Sequence, residues 1–363
     1  MLVVVLLAAG VVACSGPDDS DSETATSAVE QGGSSGTAAG QPTETSGDVP
    51  AETPSATTDP VHTAGSTTDA QPTATTDPVP PTTAAPTEAV APTPTAPVAQ
   101  AGGLLPNNRI LSYYGHPNSA AMGILGEYTM EDAHAHLAEQ AAEYEAADPA
   151  HPVTIAFELI ATVAQPWPGD DGTYVAYTGD EIIQEYVDYV TANNMILILD
   201  LQIGLDTIPN QINMIRHWLE YPNVHVALDP EFSMKGNEIV PNDRIPGEFI
   251  GEANGIHIQE GMNLVSQIVA EAGIPPKLFI VHQFEEDMIF NKDQITPVAG
   301  VQFVLDMDGF GGSDAKLGNY THFVHDQLIE FGGIKLFYKQ DDPLLTPPEI
   351  VALDPPALVV IYQ

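Results

Sequence analysis

Two carboxylates at the end of a short apolar run are the first feature of this chain that could do chemistry. Val224–Phe232 reads VHVALDPEF. Side chains alternate along a strand, so Asp229 and Glu231 share a face with Ala227, roughly 7 Å apart at Cα. Pro230 has no N–H for a ladder, so regular pairing should stop there, where the strand runs out into a loop. Two neighbouring carboxyls do not ionise independently, and one keeps its proton to higher pH. A proton-holding carboxyl beside an ionised one is the apparatus that hydrolyses glycosidic bonds. In that reading Glu231 is the general acid and Asp229 sets its orientation and charge state. Asp200 or Asp306 stabilises the positive charge that develops on the sugar ring.

Other apolar runs end in polar groups as well. Tyr114, Glu158, Gln202, His282, Gln283, Asp308, Tyr338 and Tyr362 stand at or near such ends, and they are the expected substrate-binding set. Trp167 could stack on a sugar. Ionised carboxylates on strands are costly unless paired, solvated or bound to a cation. Asp200, Asp229, Glu231, His282, Asp306 and Asp308 therefore also form an alternative set of ligands for a divalent ion. No HExxH or paired-His spacing marks a metal motif, so no metal and no cofactor is assigned. A barrel that binds glycan or a protein partner without catalysis is the third reading. His134 and His136 are expected on an exposed helix surface.

These residues need elements to converge them. Strand patterns fall at 109–115, 153–160, 195–203, 224–232, 278–284, 301–308, 334–339 and 358–363, mostly β-branched or Leu-rich, as strands covered on both faces should be. Helical patterns lie between them, at 130–147, 180–193, 208–221, 252–272 and 315–331, with shorter ones at 285–294 and 347–353. Eight strands alternating with helices over residues 102–363 have the size and order of an α/β (β/α)8 TIM barrel, whose chemistry sits at the C-terminal ends of the strands. An open doubly wound sheet is disfavoured, because no Gly-rich phosphate fingerprint follows the first strand. The last strand has no helix after it, so another element must cover its outer face.

Composition narrows the function. Fifty acids against nine bases give a formal net charge of −41, and every Lys and Arg lies from Arg109 onward. That excludes nucleic-acid binding, which needs a basic surface. It also argues against an electrostatic hold on anionic lipid. A single cysteine rules out an internal disulfide framework.

Residues 1–14 and 15–101 are of another kind. Met1–Ala13 is an apolar run of signal-peptide length, too short to span a bilayer. Val11-Val12-Ala13-Cys14 resembles a bacterial lipobox, which implies that the Cys14 thiol is acylated and becomes the mature N-terminus. No Lys or Arg precedes the run. Residues 15–101 are rich in Thr, Ala, Pro and Ser without an aromatic residue, which reads as a disordered tether. The expectation is an exported monomer on the outer face of the membrane, held there by its lipid alone.

Two resemblances extend the reading. The Asp-x-Glu of Asp229 and Glu231 resembles that of family-25 lysozyme-type muramidases, as does the ending Ile361-Tyr362-Gln363. That implies a barrel acting on peptidoglycan, with Glu231 as acid and Asp229 as its partner. Where that family carries an Asp on its first strand, this chain has Tyr113 and Tyr114. Met122–Glu127, Leu199–Gln202, Leu228–Glu231 and His282–Phe284 together look like a group of exported actinobacterial proteins of unassigned activity. This resemblance covers most of 109–363 and implies no mechanism. The expected substrate is thus a cell-wall or extracellular polysaccharide. Replacing the acylated residue (Cys14→Ser) should move the protein from the membrane pellet to the soluble fraction. A native protein that is already soluble would rule the anchor out.

Overall fold

The computed structural model describes residues 100–234, 246 and 249–363. The leader with Cys14, and the tether as far as residue 99, lie outside the described residues. Eight parallel strands form a closed barrel: β1 (Arg109–Gly115), β2 (Val153–Ala164), β3 (Ile196–Gly204), β4 (Val224–Ser233), β5 (Lys277–Gln283), β6 (Val301–Met307), β7 (Phe331–Leu336) and β8 (Ala357–Tyr362). Each strand pairs with the next, and β8 pairs with β1 to close the ring. A short strand at Val175–Tyr177 adds an antiparallel hairpin to β2. The helices are α1 (Met130–Ala147), α2 (Asp180–Ala192), α3 (Ile208–Met214), α4 (Arg216–Leu219), α5 (Gly255–Ala272), α6 (Ser313–Asn319) and α7 (Pro347–Val351). Among the described residues no helix is long and apolar enough to cross a membrane.

The period-two alternation of the strands divides the core in two. Leu111, Phe157, Leu199, Val226, Phe279 and Leu305 point outward and are buried under the helices. Ile110, Ile160, Ile198, Ala227, Ile280 and Val304 point inward and fill the barrel axis. Leu105 joins this inner cluster, and Gln302 pins it there. The Gln302 side chain accepts from the amides of Leu104 and Leu105 and donates to the Leu105 carbonyl. α1 packs on β1 and β2 and reaches β8 through Tyr144, whose hydroxyl lies 2.8 Å from that of Tyr362, and α7 packs on α1 in turn.

Four expectations about helices and strand starts need correction. The short helix expected over 285–294 is two separate 3-10 turns, Glu286–Met288 and Lys292–Gln294, with a two-residue strand at Ile289–Phe290 between them. The pattern at 208–221 predicts one helix, but the chain breaks it at Ile215 into α3 and α4. The helix expected over 315–331 stops much earlier. It continues only as a π-helical turn at Tyr320–His325, and Phe331 already belongs to β7. The seventh strand is the fourth case: it starts at Phe331 and not at Ile334. Gly332 and Gly333 look like a turn in the sequence but lie inside the strand. A Cβ on Gly333 would come 2.7 Å from an Asp306 carboxylate oxygen, so the glycine leaves room for that side chain.

β4 begins where expected, but its pairing does not end at Pro230 as expected. β3–β4 pairing runs in register to Gln202↔Asp229, slips, and resumes at Gly204↔Ser233. The extra residues around Pro230 form a bulge, as expected for a residue with no ladder donor. The segment after β1 folds back on that strand's end. Gly123 adopts φ +124°, and a Cβ there would lie 2.5 Å from the Tyr114 carbonyl oxygen. Gly123→Ala should therefore cost about 1–3 kcal/mol through backbone strain and overlap, read as a lower urea midpoint with unchanged slope.

Candidate active site

The inward positions at the C-terminal ends of the strands are polar. β2 supplies Glu158, β3 Asp200 and Gln202, β4 Asp229 and Glu231, β5 His282, and β7 Lys335. Asp306 on β6 and Asp308 just after it complete the set. All are buried except Glu231, which is half-buried at the rim. Among the described residues, six carboxyls thus share one interior with one imidazole and one ammonium. Six buried anions would be prohibitive, and two cations offset only part of that cost.

His282 is the hub. Its Nδ1 lies 3.0 Å from Asp306 Oδ2 and its Nε2 3.0 Å from Glu158 Oε1. Asp308 Oδ2 is 3.6 Å from Nδ1, and Asp200 Oδ1 is 3.9 Å from Nε2. Burial pushes the imidazole towards neutrality, but its hydrogen bonds to Asp306 and Glu158 outweigh that and hold its pKa well above the ordinary value. Lys335 is the second cation. Its Nζ donates to Asp308 Oδ2 at 3.0 Å and lies 3.9 Å from the centre of the Tyr114 ring. Burial would lower its pKa, yet Asp308, Asp229 and Glu158 raise it. Tyr114 donates in turn to Asp200 Oδ2 at 3.2 Å.

The carboxyls divide accordingly. Asp308 is pushed up by burial but pulled below its usual range by Lys335 and His282. Asp200 is raised strongly by burial and then by Asp229, and Asp229 and Asp306 are raised by burial. Glu231 is raised to about 8, first by burial and then by Asp229 and Asp308, with Lys335 and His282 acting the other way. Its amide donates to Asp229 Oδ1 at 3.2 Å, which ties the two acids across the bulge. The result is a proton-bearing carboxyl at the rim above an ionised one.

The loops around this cluster are anchored. Lys316 on α6 donates to the carbonyls of Gly309 and Lys335, both at 2.6 Å, and pairs with Asp341 at 3.2 Å. Asp341 also accepts from the amides of Gly311 and Phe337, both at 2.8 Å. These bonds hold the segment after β6 beside the segment after β7, and with them Asp308 beside Lys335.

Tyr114, Glu158, Gln202, His282 and Asp308 line this interior, but most lie too deep to meet a large substrate directly. Gln202 is used structurally: its side chain accepts from the Ala164 amide at 2.9 Å. Gln283 points out of the barrel, where its side chain accepts from Lys292 at 2.8 Å. Tyr338 and Tyr362 stack on each other on the outer wall, at 5.0 Å. Tyr338 lines a separate surface cavity of about 260 Å³ with Tyr113, Tyr128 and His136. Trp167 is exposed in the loop after β2. His136 is exposed as expected, whereas His134 is half-buried and its Nδ1 lies 3.3 Å from the Tyr189 hydroxyl. Lys335 is the residue that pattern reading missed. A lysine between Ile334 and Leu336 is a buried charge that needs partners, and that was the signal available.

The sequence matches no family model and no curated protein. Two solved structures show a loose likeness. One is a ruminal GH26 endo-β-1,4-mannanase, at 11% identity over 70% of this chain and 58% of that one, with a TM-score of 0.34. The other is the Bacillus subtilis mannanase BCman, at 13% identity over 71% of this chain and 81% of that one, with the same TM-score. The chain therefore spans little more than half the length of the first. Function has to be argued from the site's own residues.

The charge distribution has a consequence for stability. A carboxyl whose folded pKa is raised contributes stability that is complete below its unfolded pKa and lost as pH rises through the folded one. For Glu231 that window runs from 4.5 to about 8. Urea midpoints should fall from pH 5 to pH 9, and Glu231→Gln should make that fall shallower. Equal slopes in the two proteins would mean that Glu231 is ionised throughout.

Proposed function

We propose that the domain is a glycoside hydrolase acting on a cell-wall or extracellular polysaccharide. The observation that carries this reading is Glu231, the half-buried carboxyl of an otherwise enclosed cluster, which stands at the barrel rim and keeps its proton to about pH 8. Glu231 gives that proton to the glycosidic oxygen as the bond to the anomeric carbon breaks, and the leaving sugar departs as an alcohol. The ring carbon left behind carries developing positive charge. Asp308, held ionised by Lys335, supplies the negative charge that stabilises it. A water then adds to that carbon and gives a proton back to the Glu231 carboxylate, which restores the acid and frees the second sugar as a hemiacetal. Asp229 holds the Glu231 backbone and keeps its carboxyl protonated. Asp200 and Asp306, fully enclosed, support the hub from below and do not touch the sugar. Export and anchoring through Cys14 belong to the same proposal and are supported by the lipobox-like Val11–Cys14 and the Thr/Pro-rich stretch that follows.

The test is sugar release from a panel that includes peptidoglycan and β-1,4-mannan. Glu231→Gln should fold normally and lose about 10²–10⁴-fold in kcat. The working form is the protonated one, so the rate should fall as pH rises through about 8. Asp229→Asn should move that limb to lower pH, because a neighbouring negative charge is gone. Full activity in Glu231→Gln would place the acid elsewhere. No turnover on any substrate, together with glycan binding that Glu231→Gln leaves intact, would make the barrel a binding protein.

A further inference from the structure

The two ring nitrogens of His282 face different surroundings. On the Nδ1 side stand Asp306 and Asp308, and Asp308 is already paired with Lys335 at 3.0 Å. An ammonium at that distance leaves little room, electrostatically, for a second cation. On the Nε2 side stand Glu158 and Asp200, and among the described residues neither forms an ion pair with a lysine or arginine. Each of these two fully enclosed carboxylates has an oxygen with no hydrogen-bond partner among the described residues, Glu158 Oε2 and Asp200 Oδ1. Tyr114 occupies Asp200 Oδ2 and so leaves Oδ1 turned towards the imidazole.

We propose that Glu158, Asp200 and Nε2 of His282 form a site for one divalent transition-metal ion, Zn²⁺ or Mn²⁺. One ligand atom from each residue lies within 4.8 Å of the other two. Nε2 is 3.0 Å from Glu158 Oε1 and 3.9 Å from Asp200 Oδ1. Metal–ligand bonds near 2.1 Å place neighbouring ligands about 3.0–3.5 Å apart, so small side-chain adjustments close the set. Asp306 accepts from Nδ1–H at 3.0 Å, which leaves the Nε2 lone pair for the ion. A carboxylate behind a ligating imidazole is the usual outer partner of such a ligand. One nitrogen and two carboxylate oxygens suit Zn²⁺ or Mn²⁺ better than Ca²⁺ or Mg²⁺, which favour all-oxygen ligands. On binding, the ion displaces the protons held on Nε2 and on Asp200, and its charge offsets both carboxylates. The site lies beneath Glu231 and does not depend on whether the bond cleaved is glycosidic.

The full chain, stripped with EDTA and dialysed, is titrated with Zn²⁺, Mn²⁺, Mg²⁺ and Ca²⁺ in separate arms. Zn²⁺ or Mn²⁺ should bind one per chain and raise Tm by about 5–10 °C at a hundredfold excess over Kd. Asp200→Asn and Glu158→Gln should abolish the shift, and Asp306→Asn should weaken binding about 10–100-fold. Anomalous scattering from crystals grown with the ion should place it between the three residues. The proposal is overturned if neither Zn²⁺ nor Mn²⁺ shifts Tm, if Asp200→Asn and Glu158→Gln leave the shift intact, or if the scattering peak lies elsewhere. The wild-type titration alone decides the matter should either variant fail to fold.

Discussion

The rest of the site depends on one imbalance, six carboxyls against two cations among the described residues inside a closed barrel. Burial alone would force protons onto most of the acids, because an ionised carboxylate out of water costs several kcal/mol unless it is paired. His282 and Lys335 decide which acids escape. Lys335 bonds directly to Asp308 and His282 stands close to it, so Asp308 stays ionised. Asp200, Asp229 and Glu231 compete for what charge stabilisation remains, and their carboxyls are held above the ordinary range. Closely spaced acids so acquire opposite protonation states in one enclosure.

The fold supplies the geometry at several small points. Gly333 makes room for Asp306, which can then reach His282. The bulge at Pro230 lifts Glu231 to the rim while Asp229 stays buried below it. Lys316 and Asp341 tie the segments after β6 and β7 together, so the Lys335–Asp308 pair does not rely on two long side chains finding each other. A barrel tolerates such polar content at one end because its other layers are filled by aliphatic side chains. Here Ile110, Ile198, Ile280 and Val304 are among those that fill the axis.

The same enclosure separates roles that a list of acids cannot. Carboxyls with no exposed surface, such as Asp200 and Asp306, are out of reach from outside the barrel, whereas Glu231 is partly open. The aromatic residues expected to grip sugar are mostly elsewhere: Tyr338 and Tyr362 brace the outer wall.

The barrel class was legible in the chain because strands covered on both faces leave unbroken apolar runs, and the intervening helices announce themselves through periodicity and caps. β1 and α1 match their expected bounds, since Arg109–Gly115 and Met130–Ala147 have unambiguous patterns. Asp229 and Glu231 were legible as a pair because their contact is local, two residues apart on one strand. Other features were decided by tertiary structure. β7 begins three residues early because its glycines answer to other elements, Gly333 to Asp306 on β6 and Gly332 to Tyr320 and Val324 in the π-helical turn. The pairing of Lys335 with Asp308, and of His282 with Glu158 and Asp306, joins residues 24 to 124 positions apart. Which face a polar side chain takes is a matter of alternation, but which partner it meets is set by the order and register in which eight strands close. Composition could count the acids, and only closure could say which of them keeps its proton.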